Sequence, residues 1–119
     1  MKELVYLASP YTTPSLVEEH TRWVNTCIAA AELINQGYMV FSPIAHTHPI
    51  KIYGDLEGHW EMWKEYDERM ITNCDSLFVL TIEGWDKSKG VAEEVKFAQR
   101  LGKPIYYVNP VTFLVTPSI

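Results

Sequence analysis

The stretch SLFVLTI, residues 76–82, is an almost continuous apolar run that leads into a polar loop, EGWDKSKG, residues 83–90. Apolar runs without alternation are typical of central parallel strands that are covered by helices on both faces. Helical periodicity precedes the run over residues 59–74 and follows it over residues 89–101. This strand and its two helices therefore predict the centre of a parallel α/β sheet.

The rest of the chain extends the same alternation of strands and helices. Three further apolar runs predict strands at residues 3–8, 38–42 and 104–109. Thr13 can cap a helix that runs to Asn35, with an apolar face formed by Leu16, His20, Trp23, Cys27, Ala31 and Ile34.

Two segments do not fit this alternation. Residues 43–58 are rich in histidine and proline and are predicted to form a long irregular loop. The apolar tail VTFLV, residues 111–115, is an edge strand or a dimer contact. We therefore expect an α/β fold, with an open, doubly wound, Rossmann- or flavodoxin-like sheet of four to five mostly parallel strands and flanking helices.

Composition limits the classes of function. The 119 residues correspond to one domain, and the net charge of −5 argues against binding to a nucleic-acid polymer. No apolar run approaches the roughly 20 residues that cross a bilayer, and we expect no signal peptide ahead of the first strand. Cys27 and Cys74 fall on helical faces without a CxxC pattern, which favours buried free thiols in a cytoplasmic protein.

Two carboxylates stand out because they lean toward the core. Asp67 interrupts an apolar helix face, and Glu94 lies within roughly 45° of the centre of another. The first face contains Trp60, Trp63, Met70 and Cys74, and the second contains Val91, Val95, Ala98 and Leu101. Either carboxylate alone has a structural explanation, a hydrogen bond to a loop for Asp67 or the helix dipole for Glu94. Together they are the usual equipment for cleaving a glycosidic bond, as nucleophile and acid.

The expected position of a site follows from the fold class. Ligands of doubly wound sheets bind beyond the carboxyl ends of the strands, which places them at the loops that begin at Ser9, Pro43, Glu83 and Asn109.

Three segments resemble the nucleoside deoxyribosyltransferase family, in particular its branch of nucleoside 5′-monophosphate N-glycosidases and related uncharacterised phage and bacterial proteins. They are VYLASPY at residues 5–11, DERMITNCDSLFVL at 67–80 and SKGVAEEVKFAQRLGKPIYYV at 88–108. The most specific part is the pattern S-x-G-V-x-x-E, followed by an alanine four residues after the glutamate and then by Gly-Lys.

The resemblance implies a retaining mechanism without a cofactor. It places the nucleophile at Glu94, the proton donor or base-holding carboxylate at Asp67, and a tyrosine that orients the nucleophile at Tyr6, which on pattern alone can also be a core aromatic. Water or a second base would release the sugar. The resemblance further implies a nucleoside or nucleotide substrate and a homodimer or higher homo-oligomer, because family members complete each site with residues of a neighbouring subunit.

Phosphate binding is expected at the starts of two helices. Ser88, with Gly90 behind it, resembles the monophosphate hydrolases, whereas transferases for free nucleosides tend to carry aspartate at this position. Ser88 can also act as a plain N-cap, and Ser9, Thr12 and Thr13 form a second candidate cradle. The family usually has glycine beside this first serine, whereas here Pro10 follows Ser9 and removes one backbone donor.

The remaining candidates are His46, His48 and Trp85. The histidines are expected to bind base or phosphate or to fix their loop, and a metal site with His59 or Asp55 is a weaker alternative. Trp85 can stack on a base or pack as part of a lid. The sequence thus predicts an N-glycosidase of (deoxy)nucleoside 5′-monophosphates, with a base-exchanging deoxyribosyltransferase and a non-catalytic nucleotide-sensing module as alternatives.

Overall fold

The computed structural model describes residues 2–54, 56 and 60–118, without the side chains of residues 60–62. Strands and helices alternate along the chain. The elements are β1 (Leu4–Ala8), α1 (Leu16–Asn35), β2 (Met39–Phe41), α2 (Pro43–Gly54), α3 (Trp60–Asn73), β3 (Ser76–Leu80), a 3₁₀ turn (Trp85–Lys87), α4 (Lys89–Arg100), β4 (Ile105–Val108) and β5 (Val115–Thr116). The strands at the four predicted positions agree with the predicted ranges to within two residues at each end.

The strands form one sheet in the order β2-β1-β3-β4-β5. The first four are parallel, and β5 pairs antiparallel with β4 at the edge. The predicted doubly wound, mostly parallel α/β fold is therefore confirmed. The edge strand β5 begins only at Val115, the last residue of the predicted segment 111–115. The strand order reverses between β1 and β3, so the carboxyl ends of these two strands mark the point where such sheets bind ligands.

Side chains of β1 alternate between two separate cores, because successive residues of a strand point to opposite faces. Val5 and Leu7 pack with residues of α1 on one face. Tyr6 and Ala8 pack with residues of α3 and α4 on the other face. The alternation therefore presents Tyr6 to the two helices that carry the core-facing carboxylates.

Helix α1 turns a different face to the sheet than its sequence predicts. Thr26, Ala29 and Leu33 are buried, whereas Leu16 is 80% exposed and Ile34 is 51% exposed. The helix has apolar residues on several sides, and the side that contacts the sheet carries small residues that allow a close approach. The predicted face was therefore wrong by part of a turn.

The start of α1 also differs from the prediction. The N-cap is Ser15, whose side chain accepts a hydrogen bond from the backbone N–H of Glu18. Thr13 lies two residues earlier, where its hydroxyl accepts a hydrogen bond from the Ser15 N–H at 3.0 Å. The spacing from Ser15 to Glu18 is that of a capping box, which is a stronger start signal than Thr13 with Pro14.

The predicted loop at residues 43–58 is wrong over Pro43–Gly54, which form helix α2. Ser42 begins it, with its hydroxyl accepting from the Ala45 N–H at 3.1 Å, and Pro43 occupies the first turn, where its missing N–H costs little. Pro49 lies inside the helix and cannot donate to the Ala45 carbonyl. The Trp23 indole donates to that carbonyl at 3.4 Å instead, which lets the helix continue past the proline.

None of the helices in the described part of the chain combines the length and apolar character needed to cross a membrane.

We predict that Leu33→Ala lowers the free energy of unfolding by about 2–5 kcal/mol, because Leu33 is fully buried against β1 and β3. Its neighbour Ile34 is the matched control, since half of its surface is exposed, and Ile34→Ala should change stability by no more than about 0.5–1 kcal/mol. Urea denaturation followed by circular dichroism measures both. Equal losses for the two variants would mean that α1 faces the sheet differently.

Candidate active site

Three side chains from three elements meet above the end of β1. Tyr6 comes from β1, Asp67 from α3 and Glu94 from α4. The buried Tyr6 hydroxyl donates a hydrogen bond to Glu94 Oε2. The convergence follows from the apolar residues of α3 and α4, which pack on the same sheet face as Tyr6 and bring the two carboxylates inward.

Burial dominates the electrostatics of this cluster. It raises the pKa of Asp67 to about 7, and the nearby Tyr6 hydroxyl offsets part of that rise. Burial, followed by repulsion from Asp67, raises the pKa of Glu94 to about 8, and the Tyr6 hydroxyl again acts in the opposite direction. The pKa of Tyr6 itself lies well above its usual range because of burial and the two neighbouring carboxylates. The pair therefore holds at least one proton near neutral pH.

Asp67 and Glu94 open into a cleft of about 820 Å³ at the carboxyl ends of β1 and β3. This volume lies within the range of small-molecule sites. The other lining residues come from both segments that follow these strands and from α1, α2, α3 and the start of α4. They are Ser9, Tyr11, Thr12, Arg22, Pro43, Ile44, Thr47, Lys51, Trp63, Gly84, Lys87, Ser88, Lys89 and Gly90.

Most of the candidate phosphate-binding residues lie in this cleft. Ser9, Thr12, Ser88 and Gly90 line it together with the two carboxylates. Ser88 also caps α4, since its hydroxyl accepts from the Val91 N–H at 3.2 Å. Ser88 is therefore an N-cap whose hydroxyl hydrogen is still available to a ligand. Thr13, in contrast, supports the start of α1 and is not part of the lining described here.

The two histidines and Trp85 lie outside that lining. His48 is buried, with Nδ1 at 2.6 Å from the Tyr11 hydroxyl and its ring against Trp23. His46 is exposed on α2 and contacts the Tyr66 hydroxyl through Nε2 at 2.9 Å. Each contact ties a histidine to a neighbouring side chain, as expected if the histidines hold the conformation of their segment and do not bind a ligand.

Trp85 packs edge-on against Tyr107, with ring centroids 5.7 Å apart. This contact corresponds to the packing alternative for Trp85. Among the described residues, no three His, Cys, Asp or Glu side chains are grouped to hold a metal ion. Asp55 and His59, the third ligands considered for His46 and His48, fall outside the described residues.

Neither cysteine is a candidate nucleophile. Both are free thiols, Cys74 buried and Cys27 partly buried. Burial raises the pKa of Cys74 to about 11 and also raises that of Cys27, so both thiols stay protonated at neutral pH.

Sequence patterns did not predict the cationic residues of the cleft. Arg22 comes from α1 and Lys51 from α2, whereas Lys87 and Lys89 flank Ser88. The pattern Lys-Ser-Lys at residues 87–89 could have indicated Lys87 and Lys89, because it places both beside the candidate phosphate-binding serine. Lys51 lies in the segment that is predicted to be a loop, so its position on a helix is not predicted. Arg22 lies on α1, whose buried face differs from the predicted one.

We predict that the carboxylate pair makes the protein less stable as the pH rises from about 4 to about 8. Asp67 and Glu94 release their protons near pH 4 in the unfolded chain but near 7 and 8 in the folded one, so the folded state binds more protons across this window. Their contribution is fully present below pH 4 and is lost above pH 8. Glu94→Gln should flatten the decline in thermal midpoint between pH 5 and pH 9, whereas Glu32→Gln, at an exposed site on α1, should not. Parallel curves for wild type and Glu94→Gln would contradict the burial of Glu94.

Comparisons with known proteins agree with this architecture. A 2-deoxyribosyltransferase of known structure from the psychrotolerant bacterium Bacillus psychrosaccharolyticus is similar, with a TM-score of 0.58 and 24% sequence identity. The similarity covers 93% of this chain and 75% of the other. At this identity the similarity establishes a shared fold.

No curated protein matches the chain significantly. The sequence profile of DUF1937, described as a domain of unknown function, matches residues 3–109. The chain therefore belongs to the DUF1937 family, and it has the fold of a deoxyribosyltransferase.

Proposed function

We propose that this protein is an N-glycosidase that cleaves the base–sugar bond of deoxynucleoside 5′-monophosphates. The observation that carries the proposal is the convergence of Asp67 and Glu94 on one cleft, with the Tyr6 hydroxyl bonded to Glu94. Two carboxylates of raised pKa at the switch point of a doubly wound sheet are the chemical equipment for this reaction.

The reaction proceeds in two displacements. A Glu94 oxygen attacks the anomeric carbon, the bond from this carbon to the base nitrogen breaks, and its electron pair leaves with the base. Asp67 donates a proton to the departing base. Water then attacks the anomeric carbon, the bond from this carbon to the Glu94 oxygen breaks, and the proton of the water passes to Asp67. This step regenerates the Glu94 carboxylate and protonated Asp67, and the two displacements together retain the anomeric configuration.

This scheme requires one proton on the pair, with Glu94 ionised and Asp67 protonated. Burial raises both pKa values into the neutral range, so the two carboxyl groups share this proton near pH 7. A bound base that accepts a hydrogen bond from Asp67 favours the proton on Asp67, and the Tyr6 hydroxyl stabilises the ionised form of Glu94. Base release should therefore have a bell-shaped pH dependence with its maximum near pH 7–8.

The charge of the cleft favours a phosphorylated substrate. Four cationic side chains, those of Arg22, Lys51, Lys87 and Lys89, line it in a protein whose net charge is −5. The hydroxyls of Ser9, Thr12 and Ser88 add neutral donors for phosphate oxygens. A free nucleoside offers these groups no negative charge, whereas a phosphate monoester does.

Base exchange on free nucleosides is the second candidate reaction. The similar protein of known structure is described as a 2-deoxyribosyltransferase, and the same glycosyl ester can react with a base instead of water. The two reactions differ in the acceptor that the cleft admits after the first base leaves.

We also propose that the active form is a homodimer or a higher homo-oligomer in the cytosol. Exposed apolar side chains on α1 support self-association, with Val17 at 77% exposure and Ile28 at 49%. The two free thiols fit a reducing compartment.

A substrate panel tests the proposal. The protein is incubated with the four common deoxynucleoside 5′-monophosphates and the matching free nucleosides, with and without adenine as acceptor, and base release is followed by chromatography. We expect release from monophosphates without an acceptor. Exchange that requires adenine would identify a transferase, and binding without turnover would identify a nucleotide-binding module.

We predict that Glu94→Ala lowers kcat for base release at least about 10³-fold, because the covalent step is lost. Asp67→Asn should lower it about 10²–10⁴-fold by removing the proton donor. The control Glu32→Gln, outside the cleft lining described above, should retain the wild-type rate. Wild-type turnover by a folded Glu94→Ala variant would rule out Glu94 as the nucleophile.

A further inference from the structure

Arg22 spans the space between two loops of the cleft. It projects from α1, and only 15% of its side chain is exposed. Its Nη1 donates to the Thr12 carbonyl at 3.3 Å, in the loop between β1 and α1. Its Nη2 lies against Gly84, in the loop between β3 and α4. The guanidinium group thus contacts both loops that carry the candidate phosphate-binding hydroxyls.

Gly84 leaves the space that the guanidinium occupies. A Cβ atom at residue 84 would lie 2.7 Å from Arg22 Nη2, which is closer than nonbonded atoms approach. The backbone of Gly84 also has φ of 93°, in the left-handed region that glycine adopts without strain. Residue 84 is therefore best occupied by glycine for two independent reasons.

The ion pair of Arg22 can be exchanged for a ligand. Arg22 Nη2 lies 3.2 Å from Glu18 Oε1, one helical turn earlier, and the Glu18 side chain is 53% exposed. Exposed pairs of this kind contribute little to stability. A phosphate monoester offers the guanidinium two oxygens and up to two negative charges, which makes it a stronger partner than a half-solvated carboxylate.

The surroundings of Arg22 determine the kind of ligand. Ser9, Thr12 and Ser88 line the same cleft with hydroxyl groups, and Lys87 and Lys89 add positive charge. Asp67 and Glu94 line it as well and repel an anion that lacks a cationic partner. We infer that Arg22 binds the phosphate monoester of the substrate and thereby selects nucleoside monophosphates over free nucleosides. The nature of the rest of the substrate rests on the proposed function.

Three variants test this role. Arg22→Gln removes the charge, and Glu18→Gln releases Arg22 from its ion pair. Arg69→Gln removes an exposed arginine on α3, outside the cleft lining described above, and serves as the matched control. Steady-state kinetics are measured for a deoxynucleoside 5′-monophosphate and its free nucleoside, with inorganic phosphate as inhibitor, and circular dichroism checks folding.

Arg22→Gln should raise KM for the monophosphate about ten- to hundredfold, leave kcat within about threefold, and leave kcat/KM for the free nucleoside almost unchanged. Inhibition by inorganic phosphate should weaken in parallel. Glu18→Gln should shift KM for the monophosphate in the opposite direction, which a purely structural role of Arg22 would not produce. Arg69→Gln should behave as wild type.

Equal losses for the two substrates, or unchanged discrimination in Arg22→Gln, would overturn the inference. If the wild type releases no base from any substrate, the proposed function fails, and calorimetric binding of the monophosphate and the nucleoside then decides the role of Arg22. Preferential binding of the monophosphate that is lost in Arg22→Gln supports the inference independently of catalysis, and equal affinity of wild type and variant overturns it.

Discussion

The burial of two carboxylates around one tyrosine hydroxyl is the constraint on which the site depends. Burying ionisable groups costs free energy, and here the cost appears as raised pKa values for Asp67 and Glu94. The arrangement requires α3 and α4 to cover the same sheet face and requires β1 to present Tyr6 to that face. The apolar packing of these elements offsets the cost and holds the groups in reach of a ligand.

The cleft contains two sets of charged groups with different proposed roles, namely catalysis and phosphate binding. Carboxyl groups from α3 and α4 lie over the end of β1, and cationic side chains come from α1, α2, the 3₁₀ turn and the first residue of α4. Both sets meet where the strand order reverses, between β1 and β3. A nucleoside monophosphate matches both sets, with its neutral glycosidic bond at the carboxyl groups and its anionic phosphate at the cationic side chains. The proposed reaction and the proposed role of Arg22 are therefore consistent with each other.

Local patterns in the sequence predicted the sheet and the carboxylates because those features depend on periodicity. The apolar run at 76–82 predicted the central strand. The helical periodicity of the two flanking segments predicted that Asp67 and Glu94 face the core. Features that depend on tertiary contacts were missed. Pro49 made α2 read as a loop, since the indole of Trp23 that satisfies the freed carbonyl is distant in sequence. The position of Arg22 depends on Gly84, 62 residues away, and so could not be read from either residue alone.

The most direct test of the central claim is to capture the glycosyl ester. A deoxynucleoside 5′-monophosphate that carries fluorine at C2′ destabilises the positively charged transition states and slows breakdown of the covalent intermediate. Intact-protein mass spectrometry, followed by peptide mapping, should then find one fluorodeoxyribosyl phosphate group on Glu94 and none in Glu94→Ala. Base release from this analogue with the sugar attached to another residue, or with no adduct under conditions where turnover is slow, would contradict the account.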